Sequence, residues 1–338
     1  MIVRILSFLM FVLAPMPALA QPLAADPAAV HANNIKSGDI AYTEGYFGTG
    51  DERLHYVEAG EGPLVILYHG FPSFWYSWFD QMEALKTEYR VVAVDGLGAG
   101  LSAKPENIEA YRIKRLAAQI DALARHLNGK KRFTLIGHDW GAALAFAYAQ
   151  AYPKRLNAVI GLSAPPYNLF LDLVRVNEEQ QKRSQYMQLF RSLTLDDIRQ
   201  RNIPAKIWLQ SYGGLISRGG LSAEEGELFR KALEDPGAIN GGMNWYRANI
   251  PDFADAGPDF HWPAFRKKIK VPSLLIWGDD DKTFVQDFLM QLGAYAPGIR
   301  IVRQQGTEHW TSMENPAATN NAIATFLNDG VNRTKKRY

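Results

Sequence analysis

The chain has 338 residues, enough for two domains or for one large α/β domain carrying an insertion. Apolar residues make up 47% and charged residues 21%, which excludes disordered, collagen-like and coiled-coil proteins. The net charge of 37 − 35 = +2 gives no electrostatic reason to expect nucleic acid or an anionic membrane as a partner, and the absence of cysteine removes disulfides, thiolate nucleophiles and iron–sulfur clusters.

The first twenty residues read as a targeting leader. Arg4 supplies a positive start, residues 5–13 an apolar stretch, and Ala18-Leu19-Ala20 a small-x-small cleavage site. Pro15 and Pro17 interrupt a run already short for a membrane span, so an exported, cleaved chain without stable membrane association is expected. The mature charge would be 36 − 35 = +1. Residues 21–40 form a loose lead-in, and the basic run Arg333, Lys335, Lys336, Arg337 reads as a solvated tail.

Residues 41–47 and 53–58 flank the turn-rich Gly48-Thr49-Gly50-Asp51 and predict a hairpin. Short apolar runs follow at 64–68, 91–94, 133–136, 158–162, 273–277 and 299–303, of the kind buried in parallel sheets. Helical patterns at 113–127, 141–151 and 316–327 lie between or after them. The alternation predicts an α/β fold: a mostly parallel sheet with helices on both faces. Between about 165 and 273 the rhythm breaks into helical patterns, including 178–192 and 223–233. A helical cap over residues 166–265 is the economical reading, with the core formed by 41–165 and 266–330. Such an insertion would lie at the carboxyl ends of the strands, where open α/β sheets bind ligands.

The sharpest motif is Gly137-His138-Asp139-Trp140-Gly141, between an apolar run and an Ala-rich helix. Strand, Gly-x-x-x-Gly and helix make the nucleophile elbow of the α/β-hydrolases, where serine is usual and this sequence has Asp139. A serine alkoxide attacking an sp³ carbon leaves an ether; a carboxylate leaves an ester, which activated water can hydrolyse. Asp139 therefore suits alkyl substrates with a leaving group, such as epoxides or haloalkanes. The plainer alternative is that Asp139 is a helix N-cap.

His69-Gly70-Phe71-Pro72 follows the 64–68 strand and offers backbone N–H groups to an oxyanion, with Phe71 and Trp140 N–H as the expected pair. His69 itself reads as structural. The base comes last in chain order, which selects His309 in Glu308-His309-Trp310. Its orienting acid falls among Asp279, Asp280 and Asp281. The Gly278-x-x-Asp281 spacing favours Asp281, and Asp172 is a substitute. The remaining histidines, His138 among them, read as packing or surface residues. Asp95-Gly96-Leu97-Gly98-Ala99-Gly100 superficially suggests a dinucleotide loop, but its spacing is wrong and no helix follows directly.

His69-Gly-Phe-Pro, Gly137-His-Asp-Trp-Gly, Gly278-x-x-Asp281 and His309-Trp together resemble the epoxide hydrolase branch of the α/β-hydrolases, with the haloalkane and fluoroacetate dehalogenases as close cousins. The resemblance runs from about residue 42 to 327. It implies a small-molecule epoxide as substrate, no metal or organic cofactor, and a pair of tyrosines donating to the ring oxygen. Tyr186, in Tyr186-Met-Gln-Leu-Phe190, and Tyr246, in Asn244-Trp245-Tyr246-Arg247, match the family's two tyrosine patterns. Phe71 stands where a dehalogenase would use Asn, and Trp140 where fluoroacetate-type enzymes carry Arg, so both positions lean toward epoxides. The alternatives are a dehalogenase on the same nucleophile and a receptor that binds a small molecule without turning it over.

Overall fold

Strand β3 (Leu64–Tyr68) is apolar throughout and fully buried, and its residues divide by parity. Leu64, Ile66 and Tyr68 enter one hydrophobic cluster and Val65 and Leu67 a second, the two-residue period of a strand covered on both faces. β4 (Arg90–Val94), β5 (Phe133–His138) and β7 (Ser273–Gly278) divide in the same way. The computed structural model describes residues 41–264 and 267–335, with side chains as far as residue 329. The expected leader (1–20), the lead-in (21–40) and the side chains of the C-terminal basic run lie outside the described residues.

β1 (Thr43–Phe47) and β2 (Leu54–Ala59) form the expected antiparallel hairpin, and β2 pairs antiparallel with β4. From there the sheet is parallel through β6 (Leu156–Leu162) to β8 (Arg300–Gln304), in the order β1-β2-β4-β3-β5-β6-β7-β8. Helices α2 (Ile113–Asn128) and α3 (Trp140–Ala151) cover one face; α1 (Phe79–Leu85) and the C-terminal helix (Pro316–Lys335) cover the other.

Between β6 and β7 the described residues hold helices and no strand. Helix α4 (Tyr167–Val174) comes first. The single helix expected over 178–192 is broken into α5 (Glu178–Arg183) and α6 (Gln185–Ser192). At the break Ser184 is buried at φ −91° and ψ 4°, outside the helical range, and its hydroxyl accepts from Gln180 Nε2 at 2.8 Å. Helices α7 (Leu195–Gln200), α8 (Ile203–Ser217), α9 (Ala223–Ala232) and α10 (Pro236–Asn249) complete the insertion.

Helix α10 is tied to the sheet side by a dense set of bonds. Asn249 Oδ1 accepts from Ile113 N–H at 2.8 Å while its Nδ2 donates to Tyr111 O at 2.8 Å. Arg112 Nη1 donates to Ala248 O and Trp245 Nε1 to Leu97 O, each at 2.8 Å. These contacts set the position of Tyr246, three residues before Asn249.

Candidate active site

Asp139 sits between β5 and α3 at φ 52° and ψ −121°, a conformation that L residues rarely adopt. The turn is tight enough that a Cβ at Gly137 would overlap the Gly141 carbonyl and one at Gly141 the Tyr68 carbonyl. Asp139 occupies the N-cap position of α3, yet its side chain makes no capping bond. Instead Asp139 Oδ1 accepts from Phe71 N–H at 3.0 Å, and the neighbouring Trp140 backbone helps to hold the carboxyl pKa down. Both backbone groups read from the sequence thus act on one carboxylate.

On its other side Asp139 Oδ2 lies 3.5 Å from His309 Nε2, and His309 Nδ1 lies 2.9 Å from Asp281 Oδ2. Asp281 is buried, and its Oδ1 accepts from Thr283 N–H at 2.6 Å. Of the four acids considered, the fold brings only this one to the imidazole. Asp279 pairs with Arg303 near the surface, Asp280 is exposed, and Asp172 contacts His261 and Tyr295.

The His309 loop is held at several points. Glu314 accepts from Glu308 N–H and Trp310 N–H, each at 2.9 Å, and so brackets the imidazole-bearing residue. Ser163 and Thr311 hydroxyls meet at 3.0 Å. His138 Nε2–H donates to the His309 carbonyl at 2.9 Å. Burial and the adjacent His309 charge push His138 down to about 4, so it is a neutral brace. Sequence reasoning had set His138 aside; its place next to the nucleophile was the available signal.

Tyr186 from α6 and Tyr246 from α10 face each other with ring centroids 6.0 Å apart, and Tyr246 packs edge-on against Trp140 at 5.2 Å. Burial and then the charge of Asp139 lift the Tyr186 hydroxyl well above the usual phenol range, against a lowering hydrogen bond from Tyr246; burial, then Tyr186 and the charge of Asp139, lift Tyr246 likewise, so both are protonated donors at neutral pH. Beside Asp139 a cleft, partly open to solvent, is lined by Trp140, Ala143, Phe170, Met187, Ile250 and Phe284. Asp139 is its single charged residue.

The electrostatics form one coupled unit. Burial alone would raise the Asp139 carboxyl, but the hydrogen bond and charge of His309 outweigh it and hold the group below the usual carboxylate range. Burial likewise pulls His309 down, and the charges of Asp281 and Asp139 outweigh it, raising the imidazole to about 10. The resting site is therefore a carboxylate–imidazolium pair near two neutral phenols.

A family model described as alpha/beta hydrolase fold matches residues 63–316. The AB hydrolase superfamily protein YfhM of Bacillus subtilis is 31% identical over 83% of this chain and 96% of its own length. Epoxide hydrolase 4 of Mus musculus is 32% identical over 83% of this chain and 78% of its own length. Among solved structures, a Bacillus megaterium epoxide hydrolase in complex with an inhibitor superposes with a TM-score of 0.76 at 27% identity, covering 84% of this chain and all of that one. The chain belongs to the α/β-hydrolase fold family, in its epoxide hydrolase branch.

Proposed function

We infer that the protein opens an epoxide to a vicinal diol through an ester on Asp139. The observation that carries this reading is a pair of neutral phenols, Tyr186 and Tyr246, packed against each other with Tyr246 edge-on to Trp140, the residue that follows the ionised Asp139. Asp139 attacks a ring carbon, the carbon–oxygen bond breaks, and the electron pair on the ring oxygen takes a proton from the tyrosine pair. Forming the ester removes the Asp139 charge that helped to hold His309 protonated. Its pKa then falls, the proton it gives up returns the tyrosinate to phenol, and the neutral imidazole takes a proton from water. The water oxygen adds to the ester carbonyl, and the Phe71 and Trp140 N–H groups hold the oxyanion; on collapse the departing alkoxide takes the proton from His309 and leaves as the diol, and the new Asp139 carboxyl gives its proton to His309, restoring the carboxylate–imidazolium pair.

The test is single-turnover mass spectrometry of His309→Gln with a styrene-oxide-like epoxide and, separately, a bromoalkane. Without the base, an adduct with the mass of the whole epoxide accumulates on the peptide containing Asp139. A bare alkyl adduct from the bromide alone moves the protein to the dehalogenases, and no adduct from either defeats the covalent mechanism.

Asp281→Asn is expected to slow ester hydrolysis by on the order of 10²–10⁴, because it removes the charge and the acceptor that fix the His309 tautomer. Alkylation rates change far less. Rapid-quench measurement of the two steps distinguishes this from a general loss of fold.

We also propose that the chain is exported and cleaved after Ala20, on the strength of the Arg4, apolar and Ala18-Leu19-Ala20 sequence. N-terminal sequencing of the protein from an expressing bacterium should begin at Gln21. Recovery with Met1 intact overturns this.

A further inference from the structure

His69 lies directly before the turn that supplies the Phe71 N–H, and its buried ring has both nitrogens engaged. Nδ1 lies 2.7 Å from the Gly70 carbonyl, which can only accept, so Nδ1 carries the proton. Nε2 accepts from Gly96 N–H at 2.8 Å, which requires that nitrogen to be unprotonated. The two bonds together fix one neutral tautomer.

The Gly70 carbonyl and the Phe71 N–H are opposite ends of one planar peptide unit and point in opposite directions. One end is gripped by His69; the other rests on Asp139 Oδ1 at 3.0 Å. The Gly70 oxygen also accepts from Ser73 N–H at 3.0 Å, the closing bond of the turn itself. That second bond secures the turn, while the imidazole adds a donor from outside it. Donation to the carbonyl also polarises the peptide and strengthens its N–H as a donor.

We propose that His69 is a positioning residue of the oxyanion hole: through the Gly70–Phe71 peptide it aims the Phe71 N–H at the Asp139 carboxyl group, and Gly96 of the glycine loop sets its tautomer. This gives the loop Asp95–Gly100 a role that the sequence alone left unassigned. The proposal rests on the ester mechanism above and concerns its second step. The Phe71 N–H matters most when the ester carbonyl becomes an oxyanion, so losing its alignment slows hydrolysis of the ester more than its formation.

The experiment follows both steps by rapid quench with the same epoxide in His69→Leu and His69→Asn. Asparagine keeps a donor near the place of Nδ1; leucine keeps none. His69→Leu is expected to slow ester hydrolysis about tenfold or more, short of the ~10²–10³ typical of deleting a donor outright. The ester then accumulates at steady state, and His69→Asn recovers part of the rate. In a His309→Gln background the trapped ester's carbonyl stretch shifts to higher frequency when His69→Leu is added, as a weaker hydrogen bond requires. Equal ester hydrolysis in wild type and both variants overturns the proposal, as does an unshifted carbonyl stretch. If His69→Leu fails to fold, the comparison of His69→Asn with wild type decides alone: unchanged hydrolysis with an unchanged stretch refutes it. Failure of the ester to form on Asp139 in the His309→Gln single variant is a separate result, which counts against the mechanism itself.

Discussion

Asp139→Ala and Asp139→Gly both lose epoxide hydrolysis by at least about four orders of magnitude, the scale of removing a covalent nucleophile. The glycine variant is nevertheless the more stable of the two. Both substitutions delete the same carboxylate, with its bond from Phe71 N–H and its pairing with His309, so those losses cancel in the comparison. What differs is a Cβ at φ 52° and ψ −121°. Such a conformation costs a non-glycine residue roughly 1–3 kcal/mol. Glycine gives back about 0.5–1 kcal/mol through its more flexible unfolded chain. The balance favours Asp139→Gly by about 1 kcal/mol, readable as a higher denaturant midpoint at unchanged slope. Equal midpoints would mean that the elbow stores no strain. Retained turnover in either variant would remove Asp139 from the mechanism.

The parallel strands were legible because both of their faces are buried, which leaves short apolar runs bounded by polar turns. The run at 64–68 coincides with β3. At β6 the strand starts at Leu156, two residues before the expected start, because exposed Asn157 interrupts the apolar run; the register skips it at a bulge, and Leu156 still pairs with Phe133. The insertion was harder to read. Helix α10 contains Pro236, Gly237, Gly241 and Gly242, which weaken any helical pattern, and it is held by packing and by the Asn249 bonds. Tyr246 was therefore legible as part of a motif while its helix was not. Gly241 and Gly242 also have a steric reason to be small: a Cβ there would meet the Gly98 backbone and the Phe71 ring respectively.

For the site, the glycine-flanked elbow was sufficient to nominate Asp139, and chain order His309. The choice among Asp279, Asp280 and Asp281 depends on which carboxylate is buried and which receives the Thr283 N–H, quantities that spacing alone does not contain. The bracing of His309 by His138, Glu314 and Thr311 was illegible for a similar reason. The His138 and Thr311 contacts join segments about 150 residues or more apart and follow only once the sheet is assembled, while the Glu314 bonds are local but belong to a tight turn with no sequence signature.

The tyrosine pair yields the second large effect. Tyr186→Phe and Tyr246→Phe are each expected to slow alkylation of Asp139 by about tenfold, and the double variant by roughly 10²–10⁴, the range of a general acid. The singles are mild because the remaining hydroxyl can still donate, so the pair acts as a unit and its effects do not add. The pH dependence separates this step from the next. Alkylation needs Asp139 ionised and the tyrosines protonated. Asp139 is held below the usual carboxylate range and both phenols well above theirs, so the alkylation rate stays flat across neutral pH and falls only in acid. Ester hydrolysis needs neutral His309, whose pKa is about 10 beside a charged Asp139 and lower once that charge is esterified. Hydrolysis therefore rises with pH and levels off below pH 10, while alkylation does not follow it. Rapid-quench profiles of the two steps check both signs. A double Phe variant that alkylates at the wild-type rate would place the proton donor elsewhere. Parallel pH profiles for the two steps would show that esterifying Asp139 does not release the proton on His309.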